Sequence, residues 1–289
     1  MVELSNGVDG SNGGEVESEA ERWLRESRSE LAELLLGEQR DDEAVFQRWL
    51  EQHPAFVPGA RGAGGNSGHD PWPGALITQP RLTGIIGKVP DFCWLATDSA
   101  ELTAVFVEIE TPAKRWQQRE KAVQSAELTQ ALEQINAWRA WFNRPQNQSV
   151  FLDDYLVPDL LTSRQFSQRY ILVHGSRSEY ASDVERERQR ASSIRGADFE
   201  AMSFDRLLGL ASTWASRFAC VHREGSEFRA VAVPPIWKPG LVNPDGVQRT
   251  SGYEDVLVES GMPENRREAV LAELEEIRSR ETSPPRYFP

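Results

Sequence analysis

Apolar residues recur at helical spacing in several stretches of the chain. Residues three and four positions apart lie on one face of a helix, so this spacing marks a side that packs on a core. It predicts helices at Glu19–Leu36, Asp41–Gln52, Ser125–Phe142, Phe204–Phe218 and Pro263–Arg280, and a heavily charged helix is predicted at Glu179–Arg195. The helix from Ser125 has the longest such stripe, which includes Leu128, Ile135 and Trp138.

Short runs rich in β-branched and aromatic residues predict the strands. These runs are Leu82–Val89, Asp91–Ala96, Thr103–Glu110, Arg169–Gly175, an edge strand at Phe199–Met202, and Phe228–Val233. Residues 97–99 are turn-forming, so the second and third strands are predicted to form a hairpin. Residues 58–80 are expected to be a long Gly/Pro loop and residues 143–168 to be irregular. This order of elements predicts an α/β (α+β) fold, in which helices flank a mixed sheet.

The chain divides into four predicted parts. Residues 1–18 form an acidic, disordered tail, because they are rich in Gly, Ser, Asn and Glu. A helix fills residues 19–40, the main domain spans 41–220, and a C-terminal extension with a terminal helix spans 221–289.

The net charge is −13, which by itself disfavours a nucleic-acid partner. The acidity is confined to the two ends. Residues 1–60 hold 14 acidic residues against 5 arginines, and residues 253–289 hold 9 against 5. The remaining segment is neutral, with 22 of each sign, so it can still contact a polyanion.

The two cysteines, Cys93 and Cys220, lie far apart and lack zinc-site spacing. No apolar run reaches the ~20 residues of a membrane span, and the acidic N-terminus is unlike a secretory signal. We therefore expect a cytoplasmic protein that neither contacts a membrane nor carries an organic cofactor.

The strand Thr103–Glu110 ends in two carboxylates, Glu108 and Glu110, on one face. Most of this strand is apolar on both faces, so carboxylates at its end are costly unless a charge compensates them. A divalent cation, which prefers carboxylate oxygens, is one solution. A solvent-exposed strand end is the alternative.

Asp91 begins the strand before the hairpin turn, so pairing brings it towards Glu108. A metal site can then be built from Asp91, Glu108 and the Ile109 carbonyl. Such a cation activates water in phosphodiester hydrolysis. Pro90-Asp91 alone usually marks only a turn.

Two further residues are candidates for the same site. Gln134 shares a helix face with Trp138 and can position substrate or water, although a solvated glutamine explains it equally well. Glu43 can add another acid, although acidic first turns are common in helices.

The densest basic stretch contains Lys114, Arg115, Arg119 and Lys121 around a single tryptophan. These residues are candidates for contact with a phosphate backbone. A solvated loop is the alternative. His174, at the end of a strand, is interpreted as a structural hydrogen-bonding residue. The sequence contains no Walker motif, GxSxG elbow or HExxH.

A family resemblance rests on several segments in order: PDF, VEIETP, AELTQALEQINAWRAW, RYILVHGSR and SFDRLL. From about Asp41 to Ala219 the chain resembles the nuclease domain of the Shedu antiphage-defence family, a branch of the PD-(D/E)XK superfamily. The resemblance implies a restriction-endonuclease-like fold, DNA cleavage that depends on Mg²⁺ or Mn²⁺, and a homo-oligomer.

On this resemblance Asp91 and Glu108 match the metal-binding acids, Glu43 the acid of the first helix, and Gln134 the glutamine after the site. One position departs from the pattern. Glu110 stands where a lysine is expected, which removes the ammonium that usually steadies the water or phosphate. Lys114, in the next loop, is a candidate replacement.

Three functions follow as hypotheses. The first is a metal-dependent DNA endonuclease, in which Asp91 and Glu108 bind the ion, Glu110 orients or deprotonates the water, and Gln134 places it. The second is a nucleic-acid-binding module that has lost catalysis. The third is a protein-interaction component of a defence system.

Overall fold

The protein is described by a computed structural model over residues 17–62, 69–85, 87–118, 123–180, 183–193 and 196–280. Its strands join one mixed sheet, in the order β5-β4-β3-β2-β1-β6-β7-β8. The strands are β1 (Trp72–Thr78), β2 (Phe92–Thr97), β3 (Glu101–Ile109), β4 (Gln165–Val173), β5 (Phe199–Met202), β6 (Ala219–Glu224), β7 (Glu227–Ala232) and β8 (Thr250–Ser251).

Helices cover this sheet, as the sequence predicts. They are α1 (Glu19–Leu36), α2 (Glu43–Gln52), α3 (Ala126–Phe142), α4 (Pro145–Asp154), α5 (Asp159–Thr162), α6 (Val184–Ser193), α7 (Phe204–Leu210), α8 (Pro244–Gln248), α9 (Tyr253–Glu259) and α10 (Glu264–Ser279). None of those in the described ranges has both the length and the apolarity to cross a bilayer.

The predicted hairpin of β2 and β3 is confirmed and lies in the middle of the sheet. Phe92 pairs with Val107 and Thr97 with Leu102 in antiparallel register. On the other side β3 runs parallel to β4, with Ile109 opposite Val173. The strand Phe199–Met202 is also confirmed as an edge strand. The end of β3 is therefore enclosed by a neighbour on each side.

Local capping explains why the best-predicted helices start where they do. Ser125 caps α3, its hydroxyl accepting the backbone N–H of Leu128, and Asp42 caps α2 through the N–H of Ala44. α1 begins with a capping box between Ser18 and Glu21. These signals lie within a few residues of each helix start, so they can be read from the sequence.

Strand β1 corrects the expectation of a loop over residues 58–80. All seven of its residues are buried, and it pairs with β2 on one side and β6 on the other. A strand buried on both faces has no polar alternation, and the Pro and Gly in this one imitate a loop. The predicted strand at 82–89 is wrong for the described residues 82–85 and 87–89, which form turns and coil.

Other parts of the chain are more ordered than expected. Residues 143–168 contain α4, α5 and the start of β4. The helix predicted to reach Phe218 stops at Leu210, and the charged helix predicted from Glu179 begins at Val184. The boundary drawn at residue 220 falls inside β6, so the C-terminal strands continue the same sheet.

An aromatic cluster fixes α3 on the sheet. Phe106 of β3 lies 5.3 Å from Phe142 and 5.5 Å from Phe151, measured between ring centroids. Trp138 is fully buried and donates from Nε1 to the carbonyl of Lys88 at 2.8 Å. This packing sets the position of Gln134, one turn before Trp138.

Candidate active site

Asp91 and Glu108 come together at one end of the β2–β3 hairpin. Because Phe92 pairs with Val107, the two acids occupy the next positions of the ladder. Asp91 Oδ2 accepts the backbone N–H of Ile109 at 2.7 Å, which fixes its carboxylate beside Glu108. Glu108 is only 7% exposed. The register predicted from sequence therefore places two carboxyl groups at one buried point.

Gln134 joins this pair from α3. Its Nε2 donates to Glu108 Oε1 at 2.5 Å. The other oxygen, Glu108 Oε2, is buried and has no hydrogen-bond partner among the described residues. A buried acceptor without a partner is uncommon and costs free energy. The amide thus orients this carboxyl group, and its other oxygen is open to a proton shared with Asp91 or to a cation.

The two carboxyls resist ionisation. Burial, opposed by the hydrogen bond from Ile109, raises the pKa of Asp91 to about 7. Burial and the adjacent Asp91 raise the pKa of Glu108 well above its ordinary range. Ionising two adjacent carboxyl groups costs electrostatic free energy, so the pair retains a proton unless a cation neutralises its charge.

A stripe of polar residues on α2 faces this pair. Glu43, Gln47 and Glu51 are four residues apart, so they share one side of the helix. Glu51 Oε1 accepts from the hydroxyl of Thr78 at 2.7 Å and from Gln47 Nε2 at 3.1 Å. The charges of Glu43 and Glu51 both help to raise the pKa of Asp91.

Gln47, Glu51 and Thr78 were absent from the residues predicted for the site. The four-residue spacing from Glu43 was a signal for the first two. No comparable signal existed for Thr78, because its strand was assigned to a loop.

Glu110 and Lys114 form an ion pair next to the acids. Lys114 Nζ contacts Glu110 Oε2 and lies 3.5 Å from Glu43 Oε2. The side chain of Glu110 is 10% exposed and that of Lys114 is 33% exposed. The expected lysine position therefore holds a carboxylate, and this carboxylate forms an ion pair with a lysine of the following loop.

The rest of the basic stretch is only partly described. Arg115 is half exposed and pairs with the buried carboxylate of Glu179 at 3.3 Å. Glu179 also accepts the backbone N–H groups of Trp116 and Gln117. Arg119 and Lys121 lie outside the described residues.

His174 has the structural hydrogen bond expected for it. Its Nε2 donates to the carbonyl of Arg115 at 3.0 Å. Burial lowers its pKa to about 4, so the ring is neutral near pH 7.

The donor set can be compared with what a hard divalent cation requires. Within the described part of the chain, no three His, Cys, Asp or Glu side chains form a ready metal cluster. Asp91 and Glu108 supply two carboxylates, and Glu108 Oε2 is a free buried acceptor. Mg²⁺ commonly binds one or two carboxylates and keeps several waters, so the two acids fit such an ion.

No curated protein matches the chain. The family model described as Shedu protein SduA, C-terminal, matches residues 40–208. The matched segment contains Glu43, Asp91, Glu108 and Gln134, and all four lie at the site described above. Because the match covers more than half of the 289 residues, the chain belongs to the Shedu family, which implies a role in antiphage defence.

Proposed function

We propose that the chain is a divalent-metal-dependent DNA endonuclease with a PD-(D/E)XK-type active site, and that it uses this activity in antiphage defence. The buried Asp91–Glu108 pair is the observation that carries the proposal. Burial and mutual repulsion oppose the charge on both groups, and Glu43 adds further negative charge. Strongly perturbed acids held in a fixed geometry are typical of functional sites.

When bound, Mg²⁺ or Mn²⁺ supplies a Lewis acid that activates water and stabilises charge on the phosphate. Asp91, Glu108 and the Ile109 carbonyl would hold the ion. Gln134 keeps the Glu108 carboxylate in its orientation through the 2.5 Å hydrogen bond. The N–H of Ile109 does the same for Asp91. Both acids are therefore positioned before the ion arrives, which reduces the cost of binding.

Glu110 stands at the position where a lysine is usual, and Lys114 supplies the ammonium group instead. Glu110 and Glu43 hold Lys114 Nζ at the edge of the acid pair. A carboxylate paired with an ammonium is a weak base, so Glu110 acts here mainly by positioning Lys114. The ammonium, one-third exposed, can then approach a phosphate oxygen of the substrate.

DNA is the proposed substrate. The neutral segment 61–252 contains Asp91, Glu108 and Gln134, while Glu43 and Glu51 come to the site from the acidic first sixty residues. Lys114 and Arg115 are exposed enough to contact a phosphate backbone, and Arg119 and Lys121 are proposed to extend this contact. Self-association is a further part of the proposal, tested by light scattering on the purified chain.

The test is cleavage of supercoiled plasmid, linear duplex and single-stranded DNA in Mg²⁺ or Mn²⁺. We expect the wild type to cut, and Asp91→Ala and Glu108→Ala to lose cutting with an unchanged circular dichroism spectrum. Asp91→Asn should lose cutting as well, because it preserves size but removes the charge. Asp159→Ala, an exposed acid at the start of α5, is the matched control and should retain full activity.

One specific observation favours a second function. Glu110 at the lysine position is compatible with a DNA-binding module of the same fold that lacks catalysis. Such a module would bind DNA in a salt-dependent manner without cutting it in either metal, and Asp91→Asn would leave its affinity unchanged. Cutting by Asp91→Ala at the wild-type rate would refute the active-site assignment itself.

A further inference from the structure

A cleft of about 530 Å³ borders α2 and includes Glu51 in its lining. It is enclosed by α1, α2, residues 231–235 and α9. We call it the acidic cleft. Its lining includes four carboxylates, Glu26, Glu30, Glu51 and Glu259, against a single arginine, Arg48. This charge balance favours a cationic occupant.

Two residues of the acidic cleft, Trp23 and His53, belong to an aromatic stack centred on His53. The imidazole lies parallel to the Trp49 ring at 4.0 Å and to the Trp23 ring at 5.5 Å, measured between centroids. His53 is only 9% exposed. The stack fixes the plane of the imidazole, so the direction of each ring nitrogen is fixed as well.

The hydrogen bond of His53 determines which nitrogen carries the proton. Nδ1 lies 2.8 Å from the carbonyl oxygen of Trp49, which can only accept, so Nδ1 must be the donor. Burial lowers the pKa of His53, which keeps the ring neutral near pH 7. Nε2 therefore has a free lone pair.

This lone pair faces another acceptor. Nε2 lies 3.6 Å from Glu30 Oε2, and both residues line the acidic cleft. Two acceptors that face each other without a proton between them repel. A ligand that donates hydrogen bonds to both would remove this repulsion. His53, a residue only 9% exposed, thus directs into the cleft a ring nitrogen that lacks a donor among the described residues.

We propose that the acidic cleft binds an arginine side chain of a partner protein. A guanidinium presents several N–H donors in a fixed plane, so one group can donate to His53 Nε2 and to the Glu30 carboxylate together. Its aliphatic stem fits the apolar wall formed by Val231, Val233, Pro235 and Val256. DNA is excluded as the occupant by the four carboxylates.

The proposal goes beyond the proposed nuclease function and does not depend on it. Glu51 belongs to both places, since it lines the acidic cleft and also accepts the Thr78 hydroxyl beside Asp91. A bound partner would therefore contact a residue that also belongs to the surroundings of the candidate active site.

The test is a titration of the full chain, labelled with ¹⁵N in its histidines, with the capped peptide Gly-Gly-Arg-Gly-Gly. The matched neutral peptide carries citrulline in place of arginine. We expect saturable binding of the arginine peptide, with a shift of the His53 Nε2 resonance as it accepts a hydrogen bond. The citrulline peptide should bind roughly tenfold more weakly, because it lacks the charge.

Two variants locate the site. Glu30→Gln should weaken binding of the arginine peptide by roughly tenfold. Glu33→Gln makes the same charge change on the same helix, outside the acidic cleft, and should leave binding unchanged. Equal binding of the two peptides, an unmoved His53 resonance, or equal effects of the two variants would overturn the proposal.

Agmatine, a free guanidinium compound, is the third probe. If the chain bound agmatine much more tightly than the arginine peptide, the proposed protein partner would be overturned in favour of a small molecule.

Discussion

Gln134 donates to one oxygen of Glu108 at 2.5 Å, while the other oxygen of that carboxylate is buried without a partner in the described structure. The two residues are 26 positions apart, on a central strand and on the helix packed across it. A glutamine in this place fixes one oxygen and leaves the second for a ligand. The candidate site is therefore organised around a Glu108 carboxyl group whose hydrogen bonding is incomplete.

Gln134→Ala should weaken the binding of Mn²⁺ by about 10- to 100-fold, because residues that orient a metal-binding carboxylate have effects of this size. Isothermal titration calorimetry with Mn²⁺ measures the change. Gln130→Ala, at an exposed position one turn earlier on α3, is the control and should bind like the wild type. Equal affinities of the two variants would mean that Gln134 plays no part in ion binding.

The metal-free protein should lose stability as the pH rises from about 4 to about 7. Asp91 titrates at about 7 in the folded chain against an ordinary pKa of 3.8, so the folded state holds a proton that the unfolded state has released. Stability then falls with pH until the folded group ionises. Urea unfolding in EDTA across this range measures the slope.

The same experiment on Asp91→Asn provides the control, since asparagine does not titrate. Its stability should depend less steeply on pH over this interval. Mg²⁺ should stabilise the wild type more at pH 8 than at pH 6, because ion binding requires deprotonated carboxylates. Parallel curves for wild type and Asp91→Asn would contradict the raised pKa of Asp91.

Lys114→Met should reduce DNA cleavage by about 100-fold, the lower end of the range for losing one group that stabilises a transition state. It also leaves the Glu110 carboxylate, 10% exposed, without its ammonium partner, so some destabilisation is expected. The double variant Lys114→Met/Glu110→Gln removes both charges and should recover stability without recovering cleavage.

Lys238→Met is the control for the loss of one positive charge, since Lys238 is exposed and remote in sequence from the site. Cleavage rates and urea midpoints of all four proteins are the measurements. If the double variant cut as fast as the wild type, the ammonium would have no role in the reaction.

Gly175→Ala should destabilise the chain more than Gly225→Ala does. Both glycines have a positive φ, +63° and +60°, so each alanine incurs a similar backbone cost of about 1–2 kcal/mol. At Gly175 the new Cβ would also lie 2.7 Å from the carbonyl oxygen of Lys114 and from Trp116 Nε1, whereas at Gly225 no atom lies within 4 Å.

The steric clash at Gly175 should therefore lower the free energy of unfolding by a further ~1–3 kcal/mol. The difference between the free energies of unfolding of the two variants in urea measures this steric contribution. The new Cβ would push against the loop that carries Lys114. Gly175→Ala should therefore also cut DNA more slowly than Gly225→Ala. Equal stabilities would show that the loop moves away at no cost.

The sequence identified the features that depend on neighbouring residues. The apolar stripe and Ser125 cap set α3, the turn at 97–99 set the hairpin, and the pairing of its strands brought Asp91 towards Glu108. The basic loop was recognised from its composition, although its partners were not.

Only the tertiary structure decided the rest, because it depends on contacts between distant residues. β1 is buried in the middle of the sheet, so burial on both faces removes the alternation that would reveal it. The contact of Lys114 with Glu110 and Glu43, and the approach of Glu51 to Asp91 through Thr78, come from packing α2 over the sheet. The raised pKa of Asp91 has the same origin, since burial is a property of the assembled core rather than of any local run of residues.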